Sequence, residues 1–93
     1  MEIQKGNNRF YIVSGEGAEN AEIVYKHNEE DVIVIERTFV PEALRGKNIA
    51  GQLLQRVVEM ARKQGLKIIP ECTYAQKVMG KEDEYKDVLY VKK

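Results

Sequence analysis

Val40-Pro41-Glu42-Ala43-Leu44-Arg45-Gly46-Lys47-Asn48-Ile49-Ala50 decides the fold, because the hydrophobic period changes across it. Before it, Val32 to Val40 is rich in β-branched residues and reads as a long strand. After it, Ile49, Ala50, Leu53, Leu54, Val57, Val58 and Ala61 fall in pairs four residues apart, the stripe of an amphipathic helix. Gln52, Gln55, Arg56, Glu59, Arg62 and Lys63 occupy the opposite face, with Glu59 and Lys63 spaced as a favourable i,i+4 pair. Gly65 followed by Leu66 has the form of a glycine stop with its apolar follower. A strand therefore passes into a helix spanning Asn48 to Gln64 through a turn that contains Gly46, Asn48 and the small Ala50.

Outward from that junction, Arg9–Val13 and Ala21–Lys26 read as two earlier strands. Their short polar connections, Ser14-Gly15-Glu16-Gly17 and His27 to Asp31, favour antiparallel hairpins. Beyond the helix, Leu66–Pro70 reads as a strand that lies parallel to Val32–Val40, as the right-handed crossover rule requires. Pro70 has no N–H to give a ladder, so the strand must end or splay there. Thr73 to Lys81 reads as a short helix stopping at Gly80, and the tail from Glu82 to Val91 fits either a helical turn or a last strand. The expected fold class is α+β in layers. It has an N-terminal antiparallel β-meander, a central amphipathic helix packed on a mixed sheet, and a short C-terminal helix.

The chain has 93 residues, which predicts one domain over 1–93. Fifteen basic and fifteen acidic side chains cancel and are interleaved, unlike the basic stripe of a nucleic-acid binder. The longest aliphatic run, Val32-Ile33-Val34-Ile35, is far short of the roughly 20 residues a membrane span needs. The N-terminus lacks the apolar core of a signal peptide, and the one cysteine has no internal partner, so a cytoplasmic location is expected.

The turn itself suggests a ligand. The first N–H groups of a helix have no internal partner, and the helix dipole is positive at that end. Small residues let the backbone come close to a ligand, while Arg45 and Lys47 add positive charge. That is the physics of a diphosphate cradle. It is also the physics of an ordinary helix start, since Asn48 alone suits an N-cap.

Arg45-Gly46-Lys47-Asn48-Ile49-Ala50 resembles the acetyl-CoA-binding motif of the GCN5-related N-acetyltransferases, Gln/Arg-x-x-Gly-x-Gly/Ala. Arg45 and Ala50 match, and Asn48 stands for the glycine; Asn is the residue that best tolerates positive φ after Gly. The run from Val40 through Gly46, then Gly65-Leu66-Lys67, Pro70-x-Cys72 and Glu84-Tyr85, resembles a subfamily of very short acetyltransferase-like proteins. Such relatives often carry His where Arg37 stands, Pro where Thr73 stands and His-Pro where Glu82-Asp83 stand. The resemblance implies acetyl-CoA as cofactor, held by Val40, Leu44, Arg45, Gly46, Lys47, Asn48, Ile49 and Ala50. It also implies that Cys72, just past the fourth expected strand, faces the thioester.

Two residues are candidates for catalysis. Cys72 is read either as a nucleophile that takes the acetyl group or as a packing residue, free cysteines being among the most often buried. Glu36 is the candidate base for direct attack by an amine, on the strand where the superfamily often places an acid. Strict alternation sets Val32, Val34, Glu36 and Thr38 on one face and Ile33, Ile35, Arg37 and Phe39 on the other. His27, the single histidine, lies in a polar turn and is read as a surface residue. One His and one Cys far apart do not suggest a metal site, and Ser14, the single serine, excludes a serine triad. The expected function is transfer of acetyl from acetyl-CoA to an amine of an unknown acceptor, a small molecule or a protein. The alternatives are a CoA-binding regulatory module without catalysis and a scaffold whose turn binds nothing.

Overall fold

A computed structural model describes residues 3–13, 20–81 and 83–90. Five strands form one sheet in sequence order: β1 (Gln4–Gly6), β2 (Arg9–Ile12), β3 (Ala21–Glu29), β4 (Val32–Phe39) and β5 (Lys67–Pro70). The first four are antiparallel neighbours and β5 runs parallel to β4, so the mixed sheet and its crossover are as expected. Helix α1 (Ile49–Gln64) bridges β4 and β5, and α2 (Thr73–Lys81) follows β5. The α+β class is that read from the sequence.

One face of the sheet carries the core. Phe10, Ile12, Ile23, Tyr25, Ile33, Ile35 and Ile68 pack with Leu53, Leu54, Val57, Val58 and Ala61 of α1 and with Ala75 and Met79 of α2. Gly65 takes φ 71° at the end of α1, and the Leu66 N–H reaches back 2.8 Å to the Ala61 carbonyl, closing the expected glycine stop. Bidentate bonds from Arg62 to Asp87, and a third to the Glu84 carbonyl, tie the tail to α1.

Several boundaries differ from the sequence reading. Strand β1 had no signal, since Gln4 and Lys5 are exposed on the outermost strand, where charge and polarity are normal. Strand β3 runs on through the polar His27 to Glu29, because Ile33 and Val32 opposite supply the pairing. Helix α2 passes through Gly80 and ends at Lys81. The tail combines both options: a 3-10 turn at Asp83–Tyr85, then a bridge from Leu89 to Ile68. The turn expected at 14–17 lies outside the described residues. Among the described residues, no helix is long and apolar enough to cross a membrane.

The largest correction concerns alternation along β4. Val24 pairs with Arg37 and Tyr25 with Ile35, so Glu36 is an extra residue in the ladder, a β-bulge. Glu36 pairs with Lys26 at 3.6 Å and Arg37 with Glu22 at 2.5 Å, both on the face away from the helices. Past the bulge the pleat is inverted. Thr38 now stands opposite the fully buried Ile23, on the helix side, and Phe39 stands opposite Glu22 on the outer side.

Candidate functional site

The site begins where β4 ends. Pro41 starts a 3-10 turn, Glu42–Leu44, whose Leu44 side chain anchors in the core while the Arg45 N–H closes on the Glu42 carbonyl. The chain then needs two left-handed residues, Gly46 (φ 85°) and Asn48 (φ 56°), to swing into α1. Asparagine thus takes up the geometry that the motif gives to glycine. Its side chain makes no cap bond, in contrast to the expected N-cap. The first turn of α1 therefore keeps free N–H groups at its positive end.

Arg45 turns back on the loop, its Nε donating to the Val40 carbonyl at 3.0 Å while the side chain as a whole stays exposed. Val40, Leu44, Arg45, Gly46, Asn48, Ile49 and Ala50 line a cleft of about 140 Å³. No carboxylate is among these wall residues. Of the residues expected to hold the cofactor, only Lys47 lies outside this wall; it is exposed, and its carbonyl accepts from Gln52 at 3.3 Å.

Asn48 also lines a second, larger space. This groove of about 530 Å³ is walled by Gly51 and Gln52 of α1, Tyr74 and Val78 of α2, and Tyr85. Gly51 has no Cβ, and adding one would bring it within 2.5 Å of Asn48 Oδ1. The asparagine in the turn and the glycine three residues on are therefore a matched pair.

The third part is an opening in the sheet. Strand β5 pairs with β4 only from Val32 to Ile35, and the last pair is Ile35 with Pro70. The Glu71 and Cys72 N–H groups both converge on the Ile35 carbonyl, at 3.0 and 3.1 Å, and the chain then leaves for α2. Beyond that point β4 has β3 on one side and no strand on the other among the described residues. Cys72 sits half-buried at this parting, with Sγ 3.4 Å from Thr38 Oγ1 and 3.2 Å from the Ala75 N–H. Burial raises the Tyr74 hydroxyl above its ordinary range, and the neighbouring Cys72 sulfur adds to the shift.

The structure thus brings Cys72 to the helix side of the opening, and it does not bring Glu36 there. Glu36 is exposed and held by Lys26 on the outer face. Beside it, burial pulls the Glu22 carboxyl upward, but hydrogen bonds and charges from Arg37 and Arg9 win and hold it below the usual range. His27 is exposed, edge-on to the Tyr25 ring. Among the described residues no three His, Cys, Asp or Glu side chains gather as a metal site. Sequence reasoning missed Thr38, because only the bulge turns it inward, and Gly51, whose role depends on the asparagine before it.

The chain thus joins a mixed sheet whose strands β4 and β5 part beyond Ile35 to a helix start entered through two left-handed residues. The sequence profile described as GCN5-related N-acetyl-transferase matches residues 9–88. Among solved structures, a candidate GCN5-like N-acetyltransferase from Staphylococcus aureus, determined in solution by NMR, aligns with a TM-score of 0.82 at 40% identity. The alignment covers 99% of this chain and 90% of that one. Nothing among curated proteins matches. The chain belongs to the GCN5-related N-acetyltransferase family.

Proposed function

We propose that the protein binds acetyl-CoA and passes its acetyl group to a primary amine by way of Cys72. The observation that supports this reading is a pair of neighbouring spaces that share Asn48 as a wall, the carboxylate-free cleft of the Val40–Ala50 turn and the groove lined by Tyr74, the residue that adjoins the Cys72 sulfur. The free N–H groups at the start of α1 and the Arg45 guanidinium suit a diphosphate. Acetyl-CoA supplies the thioester. The Cys72 thiolate adds to its carbonyl carbon, a new S–C bond forms and CoA leaves as a thiolate. An amine then adds to the same carbonyl carbon, the S–C bond breaks with Cys72 leaving as its thiolate, and the amine's proton passes to solvent as the amide forms.

Glu36 favours this route over direct attack with Glu36 as base, since its carboxylate turns to the other face of the sheet. The same placement favours a second reading, in which the protein binds CoA and transfers nothing. Calorimetric titration with acetyl-CoA tests the cofactor site. Wild-type protein is expected to bind saturably, and Arg45→Glu with Asn48→Asp to bind at least about tenfold more weakly through charge repulsion. Absence of wild-type binding would sink the proposal. With binding secured, Cys72→Ser should abolish transfer to a panel of amines and leave affinity intact; full turnover in that variant would remove Cys72 from the mechanism.

A further inference from the structure

We infer that Thr38 is the positioning residue for Cys72, its hydroxyl fixing Sγ at the parting of β4 and β5 and donating to the sulfur when it ionises. The inference deepens the reading of Cys72 as acyl carrier and rests on it. Three observations lead there. The bulge at Glu36 has no effect on the core half of β4, yet it turns Thr38 to the helix side. There Oγ1 lies 3.4 Å from Sγ, in a geometry that lets either atom donate. The Ala75 N–H, in the first turn of α2, reaches the same sulfur at 3.2 Å.

Those contacts suit a sulfur that changes charge. A neutral thiol gives its proton to Oγ1, and a thiolate needs donors instead. A threonine hydroxyl rotates from acceptor to donor at no cost in position, while the Ala75 N–H donates in both states. No cation is needed to hold the charge. The ionisable side chains on the surrounding elements include Tyr74 and the exposed Lys77 and Lys81 on α2, the exposed Lys67 of β5, the exposed Glu71 just before Cys72, and Glu36 and Arg37 of β4, the last two turned to the outer face. Tyr74 and Glu71 offer no positive charge, and Arg37 is committed to Glu22. The side-chain group within hydrogen-bond distance of Sγ is the Thr38 hydroxyl, which joins the Ala75 N–H there.

The test is the rate of Cys72 alkylation by iodoacetamide across the thiol range, centred on about pH 8.5. Wild type is compared with Thr38→Val and Thr38→Ser, and acetyl-CoA affinity is measured on each. Valine suits a strand and keeps the shape of threonine, so the fold should persist, as circular dichroism will show. Thr38→Val is expected to slow alkylation at neutral pH about fivefold and to move the midpoint upward, the size of one lost hydrogen bond. Thr38→Ser should restore the wild-type profile, and neither change should alter acetyl-CoA affinity. If valine perturbs the strand, Thr38→Ala must show the same upward midpoint. An unchanged profile in Thr38→Val, or no recovery with serine, overturns the inference. Wild-type protein that alkylates as expected but binds no acetyl-CoA would overturn the proposed function and leave the Thr38–Cys72 coupling standing.

Discussion

The two halves of β4, aliphatic from Val32 to Ile35 and mixed from Glu36 to Phe39, do different things. Val32 to Ile35 is paired on both sides, by β3 and β5, and its four side chains are 0–3% exposed. Glu36 to Phe39 is paired on one side, and its side chains are half-buried or exposed. The change from aliphatic to charged residues at Glu36 accompanies the division and does not by itself end the pairing with β5. What separates them is the partner: β5 stops at Pro70, which has no N–H to give, and the next two N–H groups are spent on a single carbonyl. A strand flanked on both sides builds core, and the half with a free edge and an inverted pleat sets Thr38 against Cys72.

If that division is right, the halves should answer to different assays. Ile35→Ala, in the closed half, should lose about 3 kcal/mol of stability in urea unfolding, since the side chain is fully buried. Arg37→Ala in the open half should lose less than about 1 kcal/mol, as exposed ion pairs do. Similar losses at the two positions would break the comparison.

A smaller effect sharpens it. Gly51→Ala pushes Asn48 from its place at the end of the open half's connection to α1. Acetyl-CoA should then bind about tenfold more weakly. Stability should change little, because alanine's better helix propensity, about 1 kcal/mol, offsets the displaced side chain. Undiminished affinity would show that the Asn48–Gly51 fit serves the turn alone.

The smallest effect concerns acid. The folded carboxyl of Glu22 ionises below its ordinary value, so its stabilising contribution is complete above the ordinary carboxylate range. It is lost as pH falls through the lower, folded value. Glu22→Gln should flatten that part of the acid unfolding profile and leave the neutral-pH affinity for acetyl-CoA unchanged; an unaltered acid limb would show that Arg9 and Arg37 give Glu22 no net support.

The architecture was largely legible. The paired stripe from Ile49 to Ala61 fixed α1 within a residue of its observed start, and Gly65 fixed its end. Pro70 marked the end of β5, and Thr73 to Lys81 were read as helix and are helix. The turn was legible too, because the backbone there needs Gly46 and a residue as tolerant as Asn48. Strand β1 was hidden because an outer strand needs no apolar code. The face of Thr38 was hidden because a bulge is a property of two strands together. Nothing in Ile35-Glu36-Arg37-Thr38 distinguishes an inserted residue from a regular one until Val24 and Tyr25 are laid against it. Glu36 looked like a candidate base for the same reason.

That inserted residue also shapes how this sequence can change over time. Removing one codon from the Glu36–Arg37 pair would restore a regular ladder and leave the hydrophobic half of the strand untouched. The same deletion would keep Thr38 opposite Ile23 on the helix side, because Ile35, Arg37 and Thr38 would then alternate in, out and in without the extra residue. A one-residue deletion at Glu36 would therefore cost the Lys26 ion pair and spare the Thr38–Cys72 contact.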